Sequence, residues 1–370
     1  MVENNFAEDL KFLKENSEII ELTDHKTKAS IIISAEHQAR VLTSSSNSLH
    51  GKSYGWINYK LIKSKEWQPH IQAFGGEDRF WLAPEAGQYS IYFKPNQEFI
   101  FKNWQTPSCI DSEPFEVLNT EQGKAVFRKK IFLKNYQNFQ FKAQIDRTIS
   151  ILPQNLIEEG LGIKISETVD FVGFQSENQL TNLGNPWKFS SGLLSIWILG
   201  MYKSSSQTTA LIPTKSPHEI NTRYFGEIKE EKIKFGKNYV ALTVDGLDKY
   251  KIGVLPNHAK NVFGSFDAKN NILTIVKYSL KADGVYLNSL WRNQLNPYIG
   301  DAINVYNDGP NDDGSILGPY YELESSSNTK ELNKDESIFH LHQTFHFEGG
   351  KEELNKISKK VLQIDINQLK

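Results

Sequence analysis

Residues 141–148 read FKAQIDRT, so that polar and apolar side chains alternate from Phe141 to Ile145. The same alternation recurs in residues 88–93 (QYSIYF), 124–128 (KAVFR) and 271–276 (NILTIV). β-Branched and aromatic residues at every second position fit a pleated surface with one buried face. The repeated pattern therefore predicts β-strands along most of the chain.

Turn-forming residues separate the predicted strands. They are Asn96, Gly123, Pro153, the run 184–186 (GNP), Asp245-Gly246 and the run 269–271 (KNN). Strands do not alternate with helices and no glycine-rich phosphate loop follows a strand, which argues against a parallel sheet and against nucleotide chemistry. We therefore expect an all-β fold, a large antiparallel β-sandwich formed by one domain over residues 1–370.

Helical spacing is confined to the two ends of the sequence. Apolar residues at helical intervals follow Asn5, a good helix cap, and predict a helix at about residues 6–15. A second set predicts a helix at about residues 351–362. We expect both to be short terminal helices that pack against the ends or edges of the sheets.

Composition excludes several classes of protein. The 42 Lys+Arg and 44 Asp+Glu residues give a net charge of −2, which argues against a nucleic-acid partner. No apolar run approaches the ~20 residues that a membrane span needs. Cys109 is the single cysteine, so an intramolecular disulfide is impossible and a cysteine-based zinc site has no support.

The first residues show no targeting signal, because no basic segment is followed by an apolar one. We expect a cytoplasmic location by default; the alternative is a periplasmic or lipid-anchored protein whose signal has been removed. The sequence does not indicate an oligomeric state.

Polar and aromatic residues are concentrated in residues 70–85, which include two adjacent glycines. One interpretation is a loop that presents His70, Arg79 and Glu85 beside the ring of Trp81. The alternative is a tight hairpin held by an ion pair of Arg79 with its neighbouring aspartate. Residues 176–187 are a second polar segment, in which Asn182 lies on one strand face, and a plain hairpin arm is an equal alternative.

A third segment, residues 288–310, combines amides, aspartates and aromatic rings. Its last part, Asn307-Asp308-Gly309, is ordinary turn chemistry. The density of groups able to bind a ligand is harder to explain by turns alone. Trp291, Asn304 and Asp308 are therefore candidate ligand-binding residues.

Two segments near the end of the chain carry the strongest signals. In residues 320–326 (YYELESS), alternation places Glu322 and Glu324 on one face. Residues 339–347 (FHLHQTFHF) place His340, His342 and His346 together. Such histidines could hold a metal, lie on a half-exposed strand, or line a cleft beside the two glutamates. We expect the sequence to contain no metal site and to require no cofactor.

These segments resemble the galactose mutarotase-like superfamily, and most closely a bacterial family within it. The resemblance is carried by residues 55–58 (GWIN), 74–81 (FGGEDRFW), 193–201 (LLSIWILGM), 306–310 (YNDGP) and 318–324 (GPYYELE). It implies a β supersandwich that binds sugars, with a small sugar or an oligosaccharide as the partner.

The resemblance also implies a catalytic base. In the sugar epimerases of the superfamily the base is the glutamate of a Leu-Glu-Thr-Gln motif, which Leu323-Glu324 and the hydroxyl residue Ser325 match in part. The histidine acid of those enzymes lies in a His-x-Tyr-Phe-Asn-Leu string that this sequence lacks. His70 and His342 are therefore the candidates for the acid.

Ring opening of a sugar needs one group to take the proton of the anomeric hydroxyl and another to protonate the ring oxygen. We expect Glu324, a histidine and Arg79 to line one concave site of an aldose 1-epimerase-like enzyme. The remaining candidates for sugar binding are Trp81, Glu85, Asn182, Trp291, Asn304, Asp308, Glu322, His340 and His346. One alternative is a carbohydrate-binding protein without catalysis. Another is a glycoside hydrolase or lyase that pairs Glu324 with Glu85 or Asp301.

Overall fold

The computed structural model of the chain describes residues 5–310, 314 and 316–369, and eighteen strands and four α-helices form their regular structure. The strands are β1 (Ile20–Asp24), β2 (Ala29–Ser34), β3 (Arg40–Ser45), β4 (Arg79–Ala83), β5 (Glu116–Glu121), β6 (Lys124–Lys134), β7 (Gln140–Ile151), β8 (Asp170–Asn182), β9 (Ser195–Lys203), β10 (Thr208–Pro213), β11 (Ile233–Phe235), β12 (Tyr239–Thr243), β13 (Tyr250–Val254), β14 (Val262–Asp267), β15 (Ile272–Tyr278), β16 (Ile303–Asn307), β17 (Tyr320–Ser326) and β18 (Ser337–Glu348).

These strands form three sheets. The ten-stranded sheet has the order β11-β12-β10-β14-β15-β18-β8-β7-β6-β5, the five-stranded sheet β13-β16-β17-β9-β4, and the three-stranded sheet β1-β2-β3. Neighbouring strands in these sheets are hydrogen-bonded to one another in the antiparallel direction throughout. The predicted all-β, antiparallel sandwich is therefore confirmed.

The five-stranded sheet packs one face against the ten-stranded sheet. On this face Leu323 is fully buried, and the Tyr321 hydroxyl lies 2.7 Å from the Ser265 hydroxyl of β14. Alternation along β17 turns the side chains of Glu322 and Glu324 to the opposite face. The packing of the sandwich thus decides which residues of β17 are available to a site.

The four helices are α1 (Phe6–Asn16), α2 (Tyr59–Ser64), α3 (Gln154–Leu161) and α4 (Lys351–Val361). The bounds of α1 and α4 match the predicted terminal helices, and Asn5 caps α1 in a capping box with Glu8. The expectation that helices occur only at the ends is wrong. Helix α3 follows Pro153, ends at Gly162 in the left-handed conformation, and buries Ile157. Eight residues are too few for a helical period to stand out from the strands around it.

Helices α3 and α4 cover the outer face of the ten-stranded sheet. Ile157 of α3 and Leu354 of α4 belong to one apolar cluster with Phe345 and Phe347 of β18. Phe345 and Phe347 therefore point outward to the helices, and the histidines of β18, which occupy the alternate positions, point into the sandwich. No helix in the described part of the chain is both long enough and apolar enough to span a membrane.

Candidate functional site

Strand pairing assembles a row of side chains across the five-stranded sheet. Arg79 of β4 pairs with Leu199 of β9, Leu199 with Glu324 of β17, and Glu324 with Asn304 of β16. Residues paired directly across an antiparallel sheet point to the same face. We call the face away from the ten-stranded sheet the Glu324 face; it carries Arg79, Trp81, Trp197, Lys251, Asn304, Glu322 and Glu324.

Glu324 is fully buried and is held through one of its two carboxylate oxygens. Its Oε2 accepts a hydrogen bond from the indole Nε1 of Trp197 at 2.9 Å and lies 2.9 Å from Nζ of Lys251. Its Oε1 has no hydrogen-bond partner among the described residues. A buried carboxylate oxygen without a donor is costly, so this atom is a candidate contact for a ligand hydroxyl.

Arg79 and Glu322 form a second buried ion pair beside the first. The Arg79 Nη2 lies 2.7 Å from Oε1 of Glu322, and its guanidinium carbon lies 4.3 Å from the ring centroid of Trp81. Burial raises the pKa of Glu322; Arg79 opposes this shift, and the charge of Glu324 adds to it. The two glutamates of β17 are thus each paired with a different cation on one face of the sheet.

Five aromatic side chains flank these charges. Nζ of Lys251 lies 4.7 Å from the ring centroid of Trp197 and 5.4 Å from that of Tyr224. The Trp197 ring is 5.6 Å from Trp81, and Trp81 is 6.2 Å from Trp104. Trp291 stacks on Trp104 at 6.1 Å. Apolar rings beside a few placed polar groups are typical of small-molecule sites.

Asp301 adds a third carboxylate at the edge of the Glu324 face. Its Oδ2 accepts hydrogen bonds from the Tyr224 hydroxyl and from Nδ2 of Asn221, while its Oδ1 has no partner among the described residues. Gly253 makes room for it, since a Cβ atom there would lie 2.1 Å from Oδ2 of Asp301 and 2.8 Å from Nδ2 of Asn304. Burial raises the pKa of Asp301, and the bonds from Tyr224 and Asn221 oppose this shift.

Glu85 approaches the same charges from the segment that follows β4. Burial raises its pKa; Lys251 is the largest opposing influence, and the charge of Glu324 reinforces the shift. The indoles of Trp291 and Trp104 also oppose the rise in the pKa of its carboxyl group. The site therefore combines an ion-paired carboxylate, Glu324, with a carboxyl group that retains its proton more readily than usual, which are the two states that acid–base catalysis requires.

The histidines of β18 do not reach this face, and the expectation that they share a site with Glu324 is wrong. His340 Nε2 and His342 Nδ1 each lie 2.8 Å from the hydroxyl of Ser325, the residue after Glu324. His346 Nε2 lies 2.6 Å from Oε2 of Glu77. All three histidines are buried between the two sheets because β18 turns its polar face inward. Burial lowers the pKa of His342 to about 4, so it is neutral at pH 7.

His70 lies at the margin of the aromatic cluster rather than beside Glu324. Its Nδ1 is 2.6 Å from the backbone oxygen of Trp104, and its ring is 4.7 Å from that of Phe101. Its positive φ of 73° is uncommon for a histidine.

Two other predicted residues have structural partners. Asn182 bonds through Nδ2 to the backbone oxygens of Asn185 and Leu332, so it holds a turn of the ten-stranded sheet and lies outside the Glu324 face. Asp308 accepts bonds from the Tyr306 hydroxyl at 2.6 Å and from the backbone nitrogen of Gly318. It therefore closes the connection after β16 at the border of the site.

The sequence interpretation missed four residues of the site: Trp104, Trp197, Tyr224 and Lys251. Trp197 lies in an apolar run that gave no sign of a ligand-binding face. An isolated lysine such as Lys251 in a short strand is usually solvent-exposed. Its place in the site follows only from strand pairing, because Lys251 pairs with Tyr306 and Tyr306 pairs with Glu322. If the strand at 250–254 had been identified, its alternation could have indicated which face carries the lysine.

Comparison with known proteins gives a family and a fold. The model of a family described as "Family of unknown function (DUF6786)" matches residues 4–370. Comparison with curated proteins gives no match.

Among solved structures, the Slr1438 protein from Synechocystis sp. PCC 6803 is similar with a TM-score of 0.53 and 11% identity, over 90% of this chain and 96% of its own. A protein from Escherichia coli K12, provisionally assigned as an aldose 1-epimerase, gives 0.52 and 8%, over 90% and 99%. A galactose mutarotase-like protein from Lactobacillus casei ATCC 334 gives 0.50 and 10%, over 89% and 100%. At these identities the similarity establishes the galactose mutarotase-like fold alone.

Proposed function

Because the chain belongs to the family DUF6786 and has a galactose mutarotase-like fold, we propose that it binds a carbohydrate on the Glu324 face and interconverts the anomers of that sugar. The single observation that carries the proposal is the free Oε1 of Glu324, a buried acceptor in a site walled by indole rings. A sugar offers hydroxyl donors for such an atom and a C–H face for the rings.

Glu324 is the base in this proposal. Lys251 and Trp197 fix its Oε2, so Oε1 is left to take the proton from the anomeric hydroxyl. As that O–H bond breaks, the oxygen forms a carbonyl with C1 and the bond from C1 to the ring oxygen opens. Rotation about the bond next to C1 and reversal of the same steps give the other anomer.

Glu85 is the acid that protonates the ring oxygen as the ring opens. The candidate histidines lie between the sheets or at the margin of the rings, whereas Glu85 interacts with both Lys251 and Glu324. Its raised pKa keeps a larger share of the carboxyl group protonated near neutral pH than an exposed glutamate has.

Access to Glu324 requires a movement. Tyr224 lies over Lys251 and bonds to Asp301, and it is only partly buried. In the proposed complex the Tyr224 ring moves aside and packs against the edge of the sugar. Asn304 and the free Oδ1 of Asp301 then bind hydroxyl groups of the sugar.

The test is the exchange rate between anomers of aldoses, measured by two-dimensional exchange NMR with catalytic amounts of protein. Wild type accelerates exchange for at least one aldose, and Glu324→Gln, which keeps the shape but cannot accept the proton, loses about 10²–10⁴-fold of that rate. The matched control is Glu177→Gln, an exposed glutamate on β8, which retains the wild-type rate. Equal rates for wild type and Glu324→Gln would contradict the role of Glu324.

A second candidate, carbohydrate binding without catalysis, is favoured by the position of the histidines, since His340 and His342 contact Ser325 between the sheets and do not reach Glu324. Calorimetric binding of a sugar with no change in anomer exchange would select this candidate. Release of new reducing ends from an oligosaccharide would instead indicate hydrolysis.

A further inference from the structure

The aromatic rings of the site continue from the buried floor to the protein surface. Trp197 and Trp81 are each 3% exposed, Trp104 is 6% exposed, and Phe101 is 58% exposed. Phe101 and Trp104 are separated by 6.0 Å between centroids with an angle of 21° between their planes. The rings thus form one row, with Glu324 at its inner end and Phe101 at its outer end.

Backbone contacts fix the outer part of this row before any ligand is present. The Trp104 nitrogen donates to the Phe101 oxygen at 3.1 Å, and the Gln105 nitrogen donates to the Tyr92 oxygen at 2.9 Å. His70 joins its Nδ1 to the Trp104 oxygen and places its ring against Phe101. We call Phe101, with Trp104 and His70 packed against its ring, the aromatic shelf; Phe101 is the largely exposed ring of the three. A rigid shelf loses little conformational entropy when a ligand stacks on it.

The charges of the site restrict the ligand further. Among the described residues of the Glu324 face, the cations Arg79 and Lys251 are each already paired with a glutamate. A ligand with its own carboxylate or phosphate would therefore find no unpaired cation among the described residues of this face, so the face suits an uncharged sugar.

We infer that the ligand is an uncharged oligosaccharide whose reducing end lies at Glu324 and whose following sugar units stack on the aromatic shelf. This inference rests on the proposed function, since it extends the same site. A single monosaccharide at Glu324 would leave the Phe101 ring in water, whereas a second and third unit would cover it. The aromatic shelf therefore favours longer saccharides, and the residues around Glu324 favour the anomeric end of an uncharged ligand.

The experiment is calorimetric titration with mono- to tetrasaccharides of the gluco, galacto, manno and xylo series, and with trigalacturonate as the charged member. In the series that binds, the trisaccharide binds about tenfold more tightly than the monosaccharide, which corresponds to about 1.4 kcal/mol. Phe101→Ala removes this gain and leaves the affinity for the monosaccharide unchanged. The control is Phe132→Ala, an exposed ring on β6, which preserves the gain.

The outcomes separate this inference from the proposed function. Binding of a monosaccharide with no gain on lengthening, or a gain that survives Phe101→Ala, would overturn the shelf while leaving sugar binding intact. Trigalacturonate binding as tightly as the neutral trisaccharides would overturn the restriction to uncharged ligands. Absence of binding by every saccharide would overturn both proposals. Because Phe101 is largely exposed, thermal unfolding of Phe101→Ala at the wild-type temperature would confirm that folding is intact.

Discussion

Glu324 and Ser325 are neighbours in the sequence, yet their side chains lie on opposite faces of the five-stranded sheet. Glu324 bonds to Lys251 and Trp197 on the candidate site, whereas Ser325 lies 2.8 Å from both His340 and His342 inside the sandwich. One peptide unit therefore separates the candidate site from a buried polar layer. Changes on the two sides should have different effects, on function in one case and on stability in the other.

The pH dependence of anomer exchange should report Glu85. An acid must be protonated to act, so the rate falls as pH rises through its pKa. Because burial raises the pKa of Glu85, this decline lies at a higher pH than an ordinary glutamate would give. Glu85→Gln should lower the rate about 10²–10⁴-fold and abolish the alkaline decline. A decline at the same pH in Glu85→Gln would assign the acid to another group.

Gly253→Ala should damage the site more than the fold. Its new Cβ would lie 2.1 Å from Oδ2 of Asp301 and 2.8 Å from Nδ2 of Asn304, so both side chains must shift. We expect at least a tenfold loss of saccharide affinity by calorimetry and a cost of about 1–3 kcal/mol in unfolding free energy. Gly160→Ala on α3 is the control, since no atom lies within 4 Å of its added Cβ. Unchanged affinity in Gly253→Ala would place the ligand elsewhere.

Acid should destabilise the fold through the histidines between the sheets. Burial lowers the pKa of His340 to about 3 and that of His342 to about 4, from 6.5 in the unfolded chain. Their stabilising effect is present above pH 6.5 and is lost as pH falls, since the unfolded chain then binds more protons. Each histidine should contribute on the order of 2–3 kcal/mol to the loss between pH 7 and pH 4.5.

The measurement for these histidines is the unfolding free energy in urea across that pH range. The double variant His340→Gln/His342→Gln should show a shallower loss than wild type, whatever its stability at pH 7. Parallel curves for the two proteins would mean that these histidines bind protons equally well in the folded and the unfolded chain.

The buried ion pair Arg147–Asp78 should contribute far more to the free energy of unfolding than the partly exposed pair Arg128–Asp146. Arg147 Nη2 lies 2.6 Å from Oδ1 of Asp78 and both side chains are fully buried, whereas Arg128 and Asp146 are partly exposed at the same distance. Arg147→Leu leaves a buried carboxylate unpaired and should cost about 3–5 kcal/mol of unfolding free energy. Arg128→Leu should cost about 1 kcal/mol or less. Similar costs in urea unfolding would contradict this difference.

Alternation correctly predicted the strands at 124–128, 141–148 and 271–276, which correspond to β6, β7 and β15, because each has a buried face. The strand predicted at 88–93 is wrong: these residues form turns and bends, and the consecutive residues 91–93 are all buried.

The sequence also placed Glu322 with Glu324, and the β18 histidines with one another. It could not reveal which face of each strand looks into the sandwich, since that depends on the helices behind β18 and on the partner sheet. The histidines were therefore assigned to the wrong side of β17.

Residues of the site that come from several strands were partly predictable. Arg79, Trp81 and Glu324 stand in polar or aromatic segments that attract attention in the sequence. Lys251 and Trp197 stand in short, ordinary strands, and only the order β13-β16-β17-β9-β4 brings them to Glu324. Pairing between strands that are far apart in the sequence is set by tertiary packing, which a local pattern does not contain.

The most direct test of the account is a crystal structure of the protein with the saccharide that binds most tightly in the titrations. The account predicts the reducing-end sugar on the Glu324 face, with its anomeric hydroxyl within hydrogen-bond distance of Oε1 of Glu324 and its C–H face against an indole ring. A saccharide bound away from this face, with Oε1 of Glu324 still without a partner, would contradict it.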